Sequence, residues 1–186
     1  MREQRTALLL IDFVHILVAD GGSQLPGAAV AAAQNAASLK EGAKKHGIPI
    51  IYANDNFGNW RSDFPSLVEA CMRRRGCAGR LAELLRPEPD DFTLLKPRHS
   101  AFFGTPLEFL LDELAVKRLI LAGLETDVCV MYTAQDAHMR KFGLWVPRNC
   151  TASRSKARQA AALAFMRQNL KADTRPSNRA VTQGAQ

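Results

Sequence analysis

The stretch "RLILAGLETDVCVMYTAQDAHMRKFG", residues 118–143, carries two periodicities back to back. "RLILAG" (118–123) is a continuous apolar run of strand length, the pattern of a strand buried on both faces in a parallel sheet. The rest reads as a helix. Thr126 and Asp127 are residue types that open one, and Arg140 and Lys141 place positive charge in its last turn before Gly143. Cys129 falls third after a cap at Thr126, where glutamate is the usual choice. The first turn of a helix has unpaired N–H groups and the positive end of the macrodipole. A thiol there is expected to ionise below its free value near ~8.5, and the same N–H groups can hold an oxyanion.

Further apolar runs of strand length are "ALLLI" (7–11), "PIIYA" (49–53), "FTLLK" (92–96) and "LWVP" (144–147). Helical segments separate them. One begins at Pro26 and ends in "KKHG", with Gly47 turning the chain. In "TPLE" (105–108), Thr105 and Glu108 are spaced as a capping box, followed by an apolar stripe of Leu107, Leu110, Leu111 and Leu114. A last helix buries Leu163, Met166 and Leu170. Strand–helix alternation throughout predicts an α/β fold with a mainly parallel sheet between two layers of helices. The segment from about 55 to 90 reads as loop with one or two short helices. Residues 1–173 form one domain, and 174–186 read as a weakly ordered basic tail or an arm ordered by a partner subunit.

The chain's 186 residues suit one domain with a sizeable core. No apolar stretch reaches the ~20 residues that span a bilayer. The N-terminus lacks the features of a secretion signal, so a cytoplasmic location is expected. The four cysteines have no CxxC spacing and are expected as free thiols, and the four histidines have no HxH or HExxH spacing. No metal or cofactor is expected. The formal net charge is +7, with arginines concentrated in "MRRRGCAGR" (72–80). That cluster can attract a polyanion such as RNA, but no aromatic residues are interleaved to stack bases. A solvated helix end is the preferred reading.

In open parallel sheets, ligands bind beyond the carboxyl ends of the strands. Asp12 follows the first strand, Lys96 ends the third, and Cys129 follows the fourth, so an acid, an amine and a thiol share one rim. Each has a plain alternative: a turn aspartate, an exposed lysine, a small buried hydrophobe. Cys71, Cys77 and Cys150 fit the last of these. The same rim carries Phe13, Trp60, Arg98, Phe102, Phe103 and Leu124, expected to line a substrate pocket, with Arg98 or Arg61 available to a substrate carboxylate. His15 and His99 are read as structural.

Taken together, "LLLID", "LLKPRHSAFFGTPLE" and "LAGLETDVCVMYTAQDA" resemble the isochorismatase-like cysteine hydrolases, a family that includes nicotinamidases, N-carbamoylsarcosine amidase and ureidoacrylate amidohydrolases. The resemblance runs from about Ala7 to Asp173. It implies a three-layer α/β/α sandwich with strand order 3-2-1-4-5 and an Asp12–Lys96–Cys129 triad. It also implies a cis peptide at Leu124–Glu125, with the N–H groups of Glu125 and Cys129 as oxyanion donors. The implied activity is hydrolysis of a C–N bond (amide, ureido or carbamoyl) in a small molecule through a thioester.

Two departures bear on the substrate. Nicotinamidases hold a metal with an Asp–x–His motif and further histidines after the second strand. Here that place reads "NDNFGNW", which disfavours both a metal and nicotinamide. Isochorismatases proper, which cleave a vinyl ether, commonly have glycine at the thiol position, whereas this chain has Cys129. Vinyl-ether hydrolysis and polyanion binding through 73–80 remain the alternatives. A homo-oligomer, dimer or tetramer, is expected, with no nucleic-acid or membrane partner.

Overall fold

The computed structural model describes residues 5–14 and 25–177; His15 and the tail residues 178–186 lie outside the described residues. The strands are β1 (Arg5–Ile11), β2 (Ile50–Asp55), β3 (Phe92–Lys96), β4 (Val116–Leu124), β5 (Gly143–Trp145) and the two-residue β6 (Thr151–Ala152). The helices are α1 (Leu25–Lys45), α2 (Phe64–Met72), α3 (Cys77–Leu84), α4 (Leu107–Glu113), α5 (Met131–Met139) and α6 (Lys156–Asn169). A π-helical turn over Thr126–Val130 leads into α5. The five main strands lie in the order β3-β2-β1-β4-β5, all parallel, as the resemblance implies. Beyond β5, β6 also pairs with β4, through Gly123–Thr151 and Leu124–Ala152. It is too short for a periodicity argument to find.

Alternation along β1 divides the core. Leu8, Leu10 and Phe13 pack with α1, α2 and α3, while Ala7, Leu9 and Ile11 pack with α4, α5 and α6. The sheet is therefore dry on both faces, which is why its strands read as unbroken apolar runs. Outside the core proper, Lys40 of α1 is buried against Asp91 at 2.7 Å and donates to the Arg86 carbonyl, pinning the 86–91 loop under α1. Residues 174–177, placed in the tail by the sequence, lie against the domain: Trp145 Nε1 donates to the Arg175 carbonyl, and Ser177 N–H to Asn149.

The capping box at Thr105 does not form. Thr105 Oγ1 does accept the Leu107 N–H, but the Glu108 carboxylate pairs with Arg140 of the α5 C-terminus at 2.9 Å instead of returning to Thr105. A tertiary ion pair has displaced the local bond.

β1 and β4 run side by side, and their carboxyl ends meet at Gly123, which pairs with Ile11. A Cβ built there would stand 2.3 Å from the Ile11 carbonyl oxygen, and the residue's φ is +155°. Only glycine fits, since both backbone and space are refused to a side chain. Gly123→Ala is expected to cost at least ~2 kcal/mol of stability, measured as a lower urea midpoint with an unchanged slope.

Candidate active site

Asp12 is the first residue beyond β1. Its backbone is left-handed, at φ +53°, a conformation that aspartate tolerates better than most residues. Its N–H donates to the Ala53 carbonyl, and its Oδ1 accepts the Asp55 N–H at 2.7 Å. Two bonds to β2 thus hold the carboxylate in place. Its Oδ2 meets Lys96 Nζ at 2.8 Å. Lys96, the last residue of β3, is wholly buried, and its ammonium also reaches Cys129 Sγ at 3.6 Å and Asp55 Oδ2 at 3.7 Å. The acid, amine and thiol singled out along the rim thus stand around one ammonium.

Cys129 sits inside the π turn, not in the first turn of an α-helix. The Val130 N–H reaches back to the Glu125 carbonyl, and the Leu124–Glu125 peptide is cis. Single π turns of this kind are frequent at functional sites. Thr126, expected as the cap, is buried, and its hydroxyl has no hydrogen-bond partner among the described residues. Three tertiary ties hold the turn instead. Glu125 pairs with Arg154, and Asp127 pairs with Arg158 at the start of α6, at 2.6 Å. Thr133 donates to the Cys129 carbonyl at 2.7 Å and accepts the Ala101 N–H at 3.0 Å, joining the turn to the loop that follows Lys96.

The electrostatics differ from the expectation at the thiol. Burial pushes the Cys129 thiol well above its ordinary value, and the Asp12 carboxylate pushes it further; Lys96 opposes both. The helix-terminus argument pointed to a thiolate, but desolvation and a facing carboxylate outweigh it. Burial alone would pull the Lys96 ammonium down. The Asp12 carboxylate, aided by Cys129 and Asp55, more than offsets this and holds it above the usual lysine range. Burial and the facing carboxylate thus favour the protonated thiol over the thiolate, and Lys96 is the one group named here that favours the thiolate.

Among the expected pocket residues, Phe13 and Leu124 are buried in the core on the α1 side. Phe102 is buried on the other side, its ring against Phe142 and beneath the Arg140 guanidinium. These three belong to the core. They alternate between its two layers and have almost no surface to offer a ligand. Trp60 and Phe103 are exposed, and so are Arg61 and Arg98; the Arg98 guanidinium donates to the Pro97 carbonyl. Two residues not chosen for the site stand beside the sulfur: Asp55, on the Lys96 ammonium, and His99, whose Nδ1 is 3.9 Å from Cys129 Sγ. The His99 ring also rests against Tyr132, with centroids 5.4 Å apart.

At the end of β2, where a metal motif would lie, the residues do not fit a metal. Asp55 Oδ1 accepts the Phe57 N–H, and its Oδ2 faces an ammonium. Among the described residues, no group of three or more His, Cys, Asp or Glu side chains could hold an ion. No helix among them is long and apolar enough to cross a membrane. In the 72–80 cluster, Arg73 pairs with Glu69 and Arg80 with Glu83, so part of its charge is met within its own helices.

Residues 6–175 match the isochorismatase domain model. The chain is 35% identical to the isochorismatase family protein YaaI of Bacillus subtilis, over 89% of this chain and 91% of that protein. It is 30% identical to the ureidoacrylate amidohydrolase RutB of an Enterobacter species, over 75% of this chain and 71% of that one. Among solved structures, a pyrazinamidase/nicotinamidase of Streptococcus mutans superposes with a TM-score of 0.70 at 26% identity, covering 91% of this chain and 99% of that one. The N-carbamoylsarcosine amidase of Thermoplasma acidophilum gives 0.71 at 22% identity, covering 96% and 100%, a likeness of fold.

The thiol is held protonated chiefly by burial and by Asp12, and Lys96 works the other way. Lys96→Gln, which removes the one charge that favours the thiolate, is expected to slow alkylation of Cys129 by iodoacetamide at pH 8 several-fold. Peptide mass spectrometry resolves Cys129 from the other three thiols.

Proposed function

The chain belongs to the isochorismatase-like hydrolase family, and from that premise we propose that it is a cysteine hydrolase of small-molecule C–N bonds, with Cys129 as nucleophile. One observation carries the reading: the buried Lys96 ammonium contacts both the Asp12 carboxylate and the Cys129 sulfur. An ammonium costs several kcal/mol to bury, and here the groups repaying it are a base and a nucleophile.

Asp12 accepts the thiol proton as sulfur attacks the carbonyl carbon. Lys96 stabilises the thiolate as it forms, so the pair ionises only when an electrophile is present. The Glu125 and Cys129 N–H groups receive the carbonyl oxygen; one such donor is typically worth ~3 kcal/mol of barrier. The bond to nitrogen breaks, leaving a thioester, which water then hydrolyses. Vinyl-ether cleavage would leave the thiol without a task. The likeness to a ureidoacrylate amidohydrolase, together with "NDNFGNW" where nicotinamidases carry their Asp–x–His motif, favours ureido or carbamoyl groups over nicotinamide.

Incubation with a panel of small amides and ureides is expected to release ammonia and to leave an acyl adduct on Cys129 in the intact mass. Cys129→Ala should abolish both, and Asp12→Asn should lower kcat by about 10²–10⁴-fold, the usual span for a general base. Turnover by Cys129→Ala at the wild-type rate would end the proposal.

A further inference from the structure

The buried trio accounts for the thiol proton more readily than for the other protons the reaction must move. Hydrolysis of a C–N bond needs a proton delivered to the departing nitrogen and one removed from the attacking water. Asp12 is poorly placed for both. It is 3% exposed, its Oδ1 accepts the Asp55 N–H, its Oδ2 holds the Lys96 ammonium, and in the reading above it already takes the thiol proton. Lys96 has no exposure at all. His99 differs from both: it is exposed, and its Nδ1 lies 3.9 Å from the sulfur. The separation is loose, as catalytic contacts often are before substrate binds. Ring contact with Tyr132, one turn beyond Cys129, limits where the imidazole can go.

We propose that His99 is a catalytic acid and base on the solvent side of Cys129, a role that rests on the cysteine-hydrolase reading and divides its proton transfers between two residues. In the first half-reaction, the thiol proton passes to Asp12 and the C–S bond forms. The imidazolium of His99 protonates the nitrogen as the C–N bond breaks. In the second half, water enters where the amine left, and the now neutral imidazole takes its proton as the C–O bond forms. The C–S bond breaks, and the sulfur recovers its proton from Asp12. Every group ends as it began, and the sum is one water consumed per bond cleaved. The leaving nitrogen and the entering water occupy the same place in turn, so one exposed side chain serves both.

The test uses p-nitrophenyl acetate, whose leaving group departs without a proton. Wild type is expected to give a burst of p-nitrophenolate and an acetyl adduct on Cys129 that is then hydrolysed. In His99→Gln, the burst rate should stay within about threefold, while the adduct's lifetime, followed by intact mass, lengthens at least ~30-fold, within the usual range for general base catalysis. With any amide or ureide that wild type turns over, the same variant should slow acylation as well. Asp12→Asn should show the opposite preference, losing the burst. Deacylation unchanged in His99→Gln, or both steps slowed alike, would overturn the role of His99 while leaving the nucleophile in place. Failure of wild type to acetylate Cys129, with no acyl adduct from the amide and ureide panel, would remove the underlying reading and this proposal with it.

Discussion

The structure turns on one buried cation. Lys96 has no solvent exposure, and its ammonium is met by Asp12 at 2.8 Å, Asp55 at 3.7 Å and the Cys129 sulfur at 3.6 Å. Such a charge is tolerated only when paired and hydrogen-bonded, and removing one partner is far costlier than removing the whole group. Lys96 and the residues around it come from the carboxyl ends of three adjacent strands and from the turn after a fourth. The order β3-β2-β1-β4 places Lys96, Asp55, Asp12 and Cys129 in sequence across the rim. The sheet topology is therefore what makes the ion cluster possible, and the cluster ties together the strand ends that form it.

Around this centre, ion pairs and hydrogen bonds add to the apolar packing of Val130 in the core. The π turn bearing Cys129 is fastened outward by Arg154 to Glu125 and Arg158 to Asp127, and inward by Thr133 to the Ala101 loop. Asp127 is itself drawn below the usual carboxylate range: burial opposes this, but its hydrogen bonds and Arg158 prevail. The Cys129 sulfur is thus carried on a turn tied from both sides and packed against the core. β1 and β4 meet closely at Gly123, which pairs with Ile11, the residue before Asp12.

The differences from the sequence reading have a common physical source. "TPLE" satisfies the local rule for a capping box, yet Glu108 gains more from Arg140, thirty-two residues away, than from its own helix start. Cys129 occupies a position where the macrodipole favours a thiolate, yet burial and Asp12 hold the proton on. Phe13, Phe102 and Leu124 lie near the rim in sequence, but strand and loop geometry turns their side chains into the core layers. His99 reads as structural in the sequence because the implied triad needs no histidine, and only the fold brings its ring within 3.9 Å of the Cys129 sulfur.

The order of elements, the two-sided burial of the sheet, and the sharing of one rim by Asp12, Lys96 and Cys129 were legible from residue patterns alone. Periodicity, helix signals and strand ends are local properties, and a chain carries them wherever it goes. The protonation of the thiol, the pairing of one ammonium with two carboxylates, and the approach of His99 to the sulfur belong to the folded molecule only. They depend on desolvation and on Coulomb interactions across a few ångströms between residues tens of positions apart, and those distances do not exist until the sheet has closed.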